Sequence, residues 1–526
     1  MTEATDPRGS FHECVDYWAE KRPAHIALED TDGTYSYAEL AEKSTALAKA
    51  LIGSGLETGD RIAWLGKNRA IYAVLMVAAS RAGLVLAPIG WRLALPEICY
   101  ILNDTGAKWM LTEPDFAATA MQAKEECAAL ETVVCMHGCG EVNQNLADWM
   151  AAQPSDIELP PTDHENGMLQ LYTSGTTGNP KGATLCNRNL FALRKPVEDA
   201  NFHWNVLDEN DKGMVVMPVA HIAGSGYTAM CLHSGITAYF QAEFDPVTVL
   251  EAIDKGVTAV FLVPTAIQMM INHPKAAETD FSRLRFMHYG ASPMPLALLR
   301  QAMDVLGCGF VQHYGMTETT GTFTCLHPED HDPEGNTRMR SAGLPLPGVE
   351  VRIVDTNNAD VPTGDVGEIV TRSHANMLGY WKQPEKTAET VDPDGWLHTG
   401  DAGYMDEDGY VYIHDRVKDM IISGGENVYP AEVENTLYSH PAVLEAAVIG
   451  VPDEKWGEAV KAVVVPRPEH EIDSDEVIAF ARESLAVYKV PKSIDVIPEM
   501  PRNASGKILR RELRAPYWEG KERQVN

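Results

Sequence analysis

The segment from Leu171 to Ala183 constrains this chain more than any other, because glycines, hydroxyls and one lysine are concentrated directly behind an apolar run. The apolar residues Met168 to Tyr172 predict the end of a buried strand, and the residues after them predict a loop. Backbone N–H groups, hydroxyls and a cation suit the oxygens of a polyphosphate. The residues assigned to this phosphate loop are Thr173, Ser174, Gly175, Thr176, Thr177, Gly178 and Lys181.

A Walker A loop is the obvious alternative interpretation, but its spacing fails here. That motif needs a lysine directly after a glycine and a serine or threonine directly after the lysine. In this chain Asn179 and Pro180 separate Gly178 from Lys181, and Gly182 follows the lysine. An ordinary polar turn explains each residue singly, but it gives no reason for their concentration behind a buried strand. We therefore interpret the loop as a nucleotide phosphate site of another kind.

The loop resembles the phosphate-binding signature of the adenylate-forming superfamily, which includes acyl-CoA synthetases, peptide-synthetase adenylation domains and firefly-type luciferases. Two glycine-rich segments follow in family order, His288 to Pro295 and Gln312 to Thr319. The resemblance implies that the first segment and Tyr314 of the second border adenine, that Thr317 contacts phosphate and that Glu318 holds Mg²⁺. One glutamate suffices, because Mg²⁺ is commonly bound by one or two carboxylates plus substrate phosphates. The residues assigned to the nucleotide here are Gly290, Ala291, Ser292, His313 and Tyr314.

Two further residues resemble the family's ribose contacts, Asp401 and Arg416. A carboxylate can accept both ribose hydroxyl protons, although a helix cap or a turn is a credible alternative for Asp401 alone. Near the C-terminus, Lys507 matches the family's catalytic lysine. A lone C-terminal lysine is usually a solvated surface charge, but three arginines surround this one in an otherwise acidic protein: Arg502, Arg510 and Arg511.

The segment from Ile421 to Asn427 is assigned by the resemblance to a channel for a thiol co-substrate, coenzyme A. Gly424 and Gly425 lack side chains where a narrow pantetheine arm must pass, and Asn427 ends the same segment. The resemblance also implies that a C-terminal domain rotates about Asp415 between two half-reactions, so that this segment replaces Lys507 at the active site.

The length and the alternation of elements predict the fold. A chain of 526 residues is far beyond a single core, so two or more domains are expected. Alternating helices and short apolar strands predict an α/β fold with layers around mostly parallel sheets, and β-type segments from Gly348 predict an antiparallel subdomain. We therefore predict a large N-terminal domain, residues 1–415, of layered α/β sheets plus a β subdomain. Residues 416–526 are predicted to form a small α+β domain, which the resemblance makes mobile.

Charge and composition exclude several function classes. A formal charge of −32 argues against nucleic acid and against electrostatic binding to an anionic membrane. No signal peptide is visible, and the most apolar stretch, Ala73 to Gly90, contains Arg81 and Pro88, so no integral membrane segment is predicted. Nine scattered cysteines, an odd number without secretory context, predict reduced thiols and a cytoplasmic protein. We interpret the Cys135 to Cys139 cluster as a surface loop, not a metal site.

The activated acid must be inferred from the segment Gly213 to Met230. No Asp or Glu occurs from Gly213 to Ala242. Amino-acid-activating relatives pair the substrate ammonium with an aspartate in this region, and burying that cation unpaired would cost several kcal/mol, so amino acids are disfavoured. His221 resembles the family's gate beside the acid carboxylate. The residues assigned to the acyl pocket with it are Ala223, Gly224, Gly226, Tyr227, Gly290 and Gly315.

The resemblance implies a two-step ligase. A small-molecule carboxylic acid attacks the α-phosphate of ATP, pyrophosphate leaves, and a thiol then takes the acyl group and releases AMP. Catalysis is expected to depend on positioning and charge neutralisation by Lys507, Glu318, Thr317 and His221. We expect a hydrophobic acid, with a fatty acid favoured and aryl or cyclic acids open, and coenzyme A as acceptor.

Several alternatives stay open at this level. A carrier-protein thiol is the alternative acceptor. A non-catalytic nucleotide-binding sensor is the alternative from another class, although such a sensor would be expected to lose Lys507 or Glu318, and both are present. Luciferase chemistry is disfavoured, because nothing in the sequence demands oxygen chemistry. A homodimer is left open.

Overall fold

The structure is a computed structural model that describes residues 6–140, 142, 144–173, 180–205, 207–332, 334, 337–416, 419–423, 426–453, 455–502 and 508–519. For residues 415–416 and 426–427 only the backbone is described.

Helices and strands alternate through the first third of the chain. The helices are α1 (Phe11–Lys21), α2 (Tyr37–Gly53), α3 (Ala70–Ala82), α4 (Leu95–Thr105), α5 (Ala117–Glu126) and α6 (Leu146–Ala151). The strands are β1 (Ile26–Asp30), β2 (Gly33–Ser36), β3 (Arg61–Leu65), β4 (Val85–Ile89), β5 (Trp109–Thr112), β6 (Thr132–Cys135), β7 (Gly167–Thr173) and β8 (Lys181–Cys186).

The alternation continues through the middle of the chain. Its helices are α7 (Asn187–Phe191), α8 (Arg194–Asp199), α9 (Ile222–Ser234), α10 (Pro246–Asp254), α11 (Pro264–Ile271) and α12 (Leu296–Leu306). Its strands are β9 (Lys212–Val215), β10 (Thr237–Phe240), β11 (Ala259–Leu262), β12 (Phe286–Gly290), β13 (Gly309–Met316), β14 (Gly321–Leu326) and β15 (Leu344–Pro345).

Shorter strands dominate the last third. In order these elements are β16 (Glu350–Val354), β17 (Gly367–Arg372), β18 (Gly379–Tyr380), α13 (Pro384–Thr390), β19 (Leu397–Met405), β20 (Val411–Arg416), β21 (Ile421–Ser423), β22 (Glu426–Val428), α14 (Pro430–Tyr438), β23 (Val443–Asp453), β24 (Gly457–Pro466), α15 (Ser474–Ser484), β25 (Ser493–Val496) and α16 (Arg510–Trp518).

Two large sheets, parallel in their centres, carry the N-terminal part of the chain. The nine-stranded sheet has the order β15-β14-β13-β12-β11-β9-β10-β1-β2, and the seven-stranded sheet has the order β18-β8-β7-β4-β3-β5-β6. Antiparallel strands occur at their edges, where β2, β14, β15, β8 and β18 pair. This confirms the predicted layered α/β fold.

Helix α3 explains the most apolar stretch of the sequence. Nearly every residue of α3 is buried, and its side chains share one core with residues from both large sheets. A helix that is apolar on all sides is expected in such a position. In the described part of the chain, no helix is both long and apolar enough to span a bilayer.

Two smaller sheets complete the fold. Strands β16, β17, β19 and β20 form the antiparallel sheet that the sequence predicts after Gly348. The last sheet, β22-β21-β24-β23 with β25 paired to β24, packs against α14 and α15 around its own apolar core. These elements make the α+β unit expected at the C-terminus, although the boundary between residues 415 and 416 stays a prediction.

The cysteine prediction is wrong for one pair. Cys135, at the end of β6, is joined to Cys139 by a disulfide, because the turn after β6 returns the chain to within 6.4 Å between the two Cα atoms. The other seven cysteines are unpaired, and most are buried.

Candidate active site

The phosphate loop joins two antiparallel strands. Thr173, the last residue of β7, and Lys181, the first residue of β8, are direct partners in the strand register. Residues 174–179 lie outside the described part of the chain, so the assignments of Ser174, Gly175, Thr176, Thr177 and Gly178 stay predictions.

The strand ends bring Glu318 to this hairpin. The Thr173 hydroxyl donates to Oε1 of Glu318 over 3.4 Å, and the Tyr380 hydroxyl donates to the same oxygen over 2.7 Å. Lys181 Nζ lies 4.0 Å from the centre of the Tyr380 ring. Burial lowers the pKa of the half-buried Lys181 below its usual value, while Glu318 acts in the opposite direction. Strands far apart in sequence therefore gather one cation and one carboxylate at the base of the loop.

The carboxylate of Glu318 has the chemistry of a magnesium ligand. Glu318 is 5% exposed, and among the residues that the structure describes its second oxygen, Oε2, has no hydrogen-bond partner. One free carboxylate oxygen plus substrate phosphates meets the ordinary requirements of Mg²⁺. Thr317 directly precedes Glu318 in a short 3₁₀ turn, and its side chain is partly exposed.

Close backbone approach explains the glycines assigned to adenine and acid. Gly290 ends β12 beside His313 of β13, and a Cβ on Gly290 would overlap the carbonyl oxygen of His313. A Cβ on Gly315 would overlap the carbonyl oxygen of Gly321. Ala291 takes a positive φ of 65°, so the chain turns sharply where β12 ends. Glycine at positions 290 and 315 is therefore required by the close approach of neighbouring backbone.

The two ribose candidates face each other across strands β19 and β20. Asp401 and Arg416 are register partners, and the hydroxyl of Tyr314 donates to Oδ2 of Asp401 over 2.8 Å. The structure thus joins Tyr314, assigned to adenine, to Asp401, assigned to ribose. Asp415, the proposed hinge, is the next-to-last residue of β20, and the side chains of Asp415 and Arg416 lie outside the description.

The acyl segment forms the start of α9. His221 is the N-cap residue, its Nε2 is buried without a partner among the described residues, and burial lowers its pKa. His221, Ala223 and Gly226 are partly exposed. Tyr227 is buried, and its hydroxyl also lacks a partner in the described part.

Gly224 has a different role from the one expected. A Cβ at Gly224 would lie 2.5 Å from the carbonyl oxygens of Met217 and Pro218. Its missing side chain is therefore required by the turn that leads into α9, and does not itself open volume for the acid.

A cavity of about 160 Å³ lies between the N-terminal part and the C-terminal unit. Ser292 lines it on one side, and three arginines line it on the other: Arg467, Arg502 and Arg510. Arg502 pairs with Glu445 and Arg510 with Glu434. The side chain of Arg467 has no ion pair or hydrogen bond with any residue that the structure describes.

Several predicted residues cannot be located. Gly424, Gly425 and Lys507 lie outside the described residues, and of Asn427 only the backbone in β22 is described. Tyr380 and Arg467 were missed by sequence reasoning. No local signal marks either residue, because Tyr380 in β18 and Arg467 directly after β24 meet their neighbours only through the tertiary fold.

The fold brings together the groups that we assign to a nucleotide at the hairpin, and it places the groups that we assign to an acid at the start of α9. This is the arrangement of an adenylate-forming ligase.

Comparison with known proteins agrees with this class. Residues 15–381 match the family model for AMP-binding enzymes, and residues 432–507 match that for the AMP-binding enzyme C-terminal domain. The fatty acid–acyl-carrier-protein ligase ScoC of Streptomyces coeruleorubidus is 40% identical over 98% of this chain and 97% of its own length. A feruloyl-CoA synthase of Amycolatopsis sp is 40% identical over 95% of this chain and 97% of its own length.

A solved structure shows the same fold. MatB from Rhodopseudomonas palustris, with ATP bound, is 30% identical and matches with a TM-score of 0.86 over 97% of this chain and 100% of that chain. The chain belongs to the AMP-binding enzymes of the adenylate-forming superfamily. The family and enzyme predictions are thereby confirmed, and the protein is an AMP-forming acid–thiol ligase.

Proposed function

We propose that this enzyme activates a largely hydrophobic carboxylic acid to an acyl-adenylate and transfers the acyl group to coenzyme A. The observation that carries adenylation is the cluster of Thr173, Lys181 and Glu318 at the base of the phosphate hairpin. In the first step a carboxylate oxygen attacks the α-phosphorus of ATP, and the bond to pyrophosphate breaks.

The residues have separate tasks in that step. Thr173 and Lys181 bind the β- and γ-phosphates, and Glu318 holds Mg²⁺, which neutralises phosphate charge when bound. Lys507 joins the carboxylate and the α-phosphate as negative charge concentrates there. His221, neutral at pH 7 because burial lowers its pKa, borders the carboxylate without adding charge.

The second step transfers the acyl group. The thiol sulfur attacks the acyl carbon, the bond to AMP breaks, and the thiol proton is lost. We propose a rotation about Asp415 between the two steps, with Gly424 and Gly425 beside the pantetheine arm.

Coenzyme A is favoured as acceptor by the interdomain cavity. Arg467 presents a guanidinium to this cavity without an anionic partner among the described residues, in a chain of net charge −32. The phosphates of coenzyme A would supply such a partner. The alternative acceptor is a carrier-protein thiol, and it draws support from the similarity to ScoC. The feruloyl-CoA synthase supports coenzyme A to the same degree.

A two-acceptor experiment tests the proposal. Pyrophosphate release is measured for a panel of fatty, aryl and cyclic acids with Mg²⁺ and ATP, and thioester is then measured by mass spectrometry with coenzyme A or with a phosphopantetheinylated carrier protein. We expect acid-dependent pyrophosphate release and acyl-CoA. Formation of an acyl-carrier thioester without acyl-CoA would show that a carrier protein is the acceptor in place of coenzyme A. Absence of pyrophosphate release with every acid would overturn the proposed ligase function.

An Arg467→Ala variant tests the acceptor separately. We expect the KM for coenzyme A to rise about tenfold or more, as for the loss of a charge-assisted hydrogen bond, while pyrophosphate exchange stays at the wild-type rate. An unchanged KM would mean that the cavity no longer supports coenzyme A as the acceptor. A cytoplasmic location and a homodimer stay predictions.

A further inference from the structure

Arg194 is a cation without an anionic partner. It is the first residue of α8, and its Nη2 donates one long hydrogen bond of 3.4 Å to the carbonyl oxygen of Gly226. Among the residues that the structure describes, no carboxylate lies within ion-pairing distance of Arg194. Neighbouring arginines behave differently, since Arg8 pairs with Asp6 and Arg188 with Glu165.

This guanidinium lies deep in the protein, close to a histidine pair. Burial lowers the pKa of Arg194 to about 10, which leaves it charged at neutral pH, and its side chain is partly exposed. Burial, then His288, then Arg194 hold the pKa of His313 well below its usual value. Nδ1 of His288 lies 2.8 Å from Nε2 of His313, and the other nitrogen of His313 lies 3.0 Å from the hydroxyl of Thr322.

A partly buried charge without an anionic partner is costly. Structural arginines in protein interiors have carboxylates or several carbonyl acceptors, because an unpaired charge loses its hydration without compensation. One long bond to Gly226 does not supply that compensation. An anionic or oxygen-bearing ligand would supply it.

The position of Gly226 relates Arg194 to the acyl pocket. Gly226 and His221 are five residues apart at the start of α9, which corresponds to about 7.5 Å along a helix axis. Both residues are partly exposed, whereas Gly224, Ser225 and Tyr227 are buried. Arg194 therefore contacts the segment to which the acyl pocket is assigned, at a residue that follows the proposed carboxylate gate.

The ring side chains near His313 suit a flat or extended acyl group. The rings of Phe261 and Trp204 have centroids 5.8 Å and 6.3 Å from that of His313. Phe261 is partly exposed, whereas Trp204 is buried. The surroundings of His313 thus combine apolar rings with the polar groups of Thr322 and Arg194.

We propose that Arg194 binds an oxygen atom at the distal end of the acyl substrate, so that the acid carries a second carboxylate or a phenol oxygen remote from the carboxylate that is adenylated. This inference rests on the proposed ligase function and narrows its substrate class. The body of the acid stays apolar, while its far end is recognised by charge.

Matched pairs of acids test this substrate class. The pairs are octanedioic with octanoic acid, and 4-hydroxycinnamic with cinnamic acid, each measured by pyrophosphate release with the full-length enzyme. We expect kcat/KM for at least one oxygen-bearing acid to exceed that of its partner about tenfold or more, as for a hydrogen bond to a charged group. The first pair probes a carboxylate and the second a phenol, so the result also separates the two sources of oxygen.

An Arg194→Met variant assigns the preference to this side chain. We expect the ratio within the preferred pair to fall about tenfold or more, and the melting temperature of the unliganded variant not to fall, since methionine replaces an unpaired charge with an apolar chain. Lys195→Met is the matched control, because it removes the neighbouring exposed cation of α8 and should leave the ratio unchanged.

The outcomes separate this inference from the ligase function. Turnover with equal kcat/KM for both acids of each pair would overturn the inference but not the ligase function. A preference for the oxygen-bearing acid that Arg194→Met retains would do the same. A marked loss of melting temperature in Arg194→Met would show that the arginine is structural and would also overturn it. Absence of pyrophosphate release with every acid would overturn the ligase function itself.

Discussion

The hydroxyl of Tyr380 donates a 2.7 Å hydrogen bond to Oε1 of Glu318, the carboxylate that we assign to Mg²⁺. Tyr380 lies in β18, which pairs with β8 directly after the phosphate hairpin, and its ring also lies under Lys181. One tyrosine thus contacts both the anionic and the cationic group of the phosphate site, and it orients them relative to each other.

Tyr380→Phe should weaken adenylation without preventing folding. The change removes the hydrogen bond to Glu318 but keeps the ring beneath Lys181, so we expect the rate of pyrophosphate exchange at limiting Mg²⁺ to fall about tenfold. Tyr404→Phe is the control, since Tyr404 stacks on Tyr412 away from the hairpin. Equal rates for Tyr380→Phe and the wild type at every Mg²⁺ concentration would remove the orienting role.

Glu318→Gln should raise the Mg²⁺ concentration required for half-maximal adenylation. The change keeps the shape of the side chain and removes its charge, so the ion loses its proposed protein ligand. Glu350→Gln removes an exposed carboxylate paired with Arg372 and serves as the control. Unaltered activity at all Mg²⁺ concentrations would mean that Glu318 is structural.

Lys507→Ala should separate the two half-reactions. Its charge is needed only when the carboxylate meets the α-phosphate, so we expect adenylation to fall ~10²–10³-fold while thioester formation from supplied acyl-adenylate is retained. Lys492→Ala, which removes an exposed lysine of the same domain, is the control. Parallel losses in both half-reactions would contradict this role.

Gly425→Leu should have the opposite effect to Lys507→Ala. A side chain at the proposed thiol channel would obstruct the pantetheine arm, so acyl-CoA production should fall while pyrophosphate exchange with acid and ATP continues. The two assays are run on the same preparation, with circular dichroism as a check on folding. A matching fall in both assays with the fold intact would leave the channel without support.

Acid should destabilise the fold through buried histidines. Burial lowers the pKa of His12 to about 4, whereas an unfolded histidine titrates near 6.5. Below about pH 6.5 the unfolded state therefore binds a proton that the folded state does not, so stability is complete above that pH and is lost toward pH 4, by about 1.4 kcal/mol per pH unit for each such group.

His12→Gln tests this coupling through the slope of melting temperature against pH. We expect a shallower fall between pH 6.5 and 4, whatever the change in absolute stability from the lost contacts with Ser80 and Thr162. His203→Gln, at an exposed position, should retain the wild-type slope. A wild-type slope in His12→Gln would contradict the prediction.

Local patterns in the sequence predicted the elements well. The strand predicted before the phosphate loop from Met168 to Tyr172 lies within β7, which runs from Gly167 to Thr173. At the start of α1, the Ser10 side chain caps the N–H of Glu13, but the Glu13 side chain makes no return contact with Ser10. Glu13 instead contacts His164, a partner 151 residues away that no local pattern indicates.

The sequence by itself determined the alternation of elements, the phosphate loop and the family, because these depend on neighbouring residues and on a motif read in order. Only the tertiary structure decided which distant side chains meet. Tyr380 reaches Glu318 through the edge strand β18, and Cys135 is joined to Cys139 by the turn after β6. The tertiary structure also decided that Arg194 has no ion-pair partner among the described residues. Whether a charged side chain is paired depends on which residues the fold packs against it.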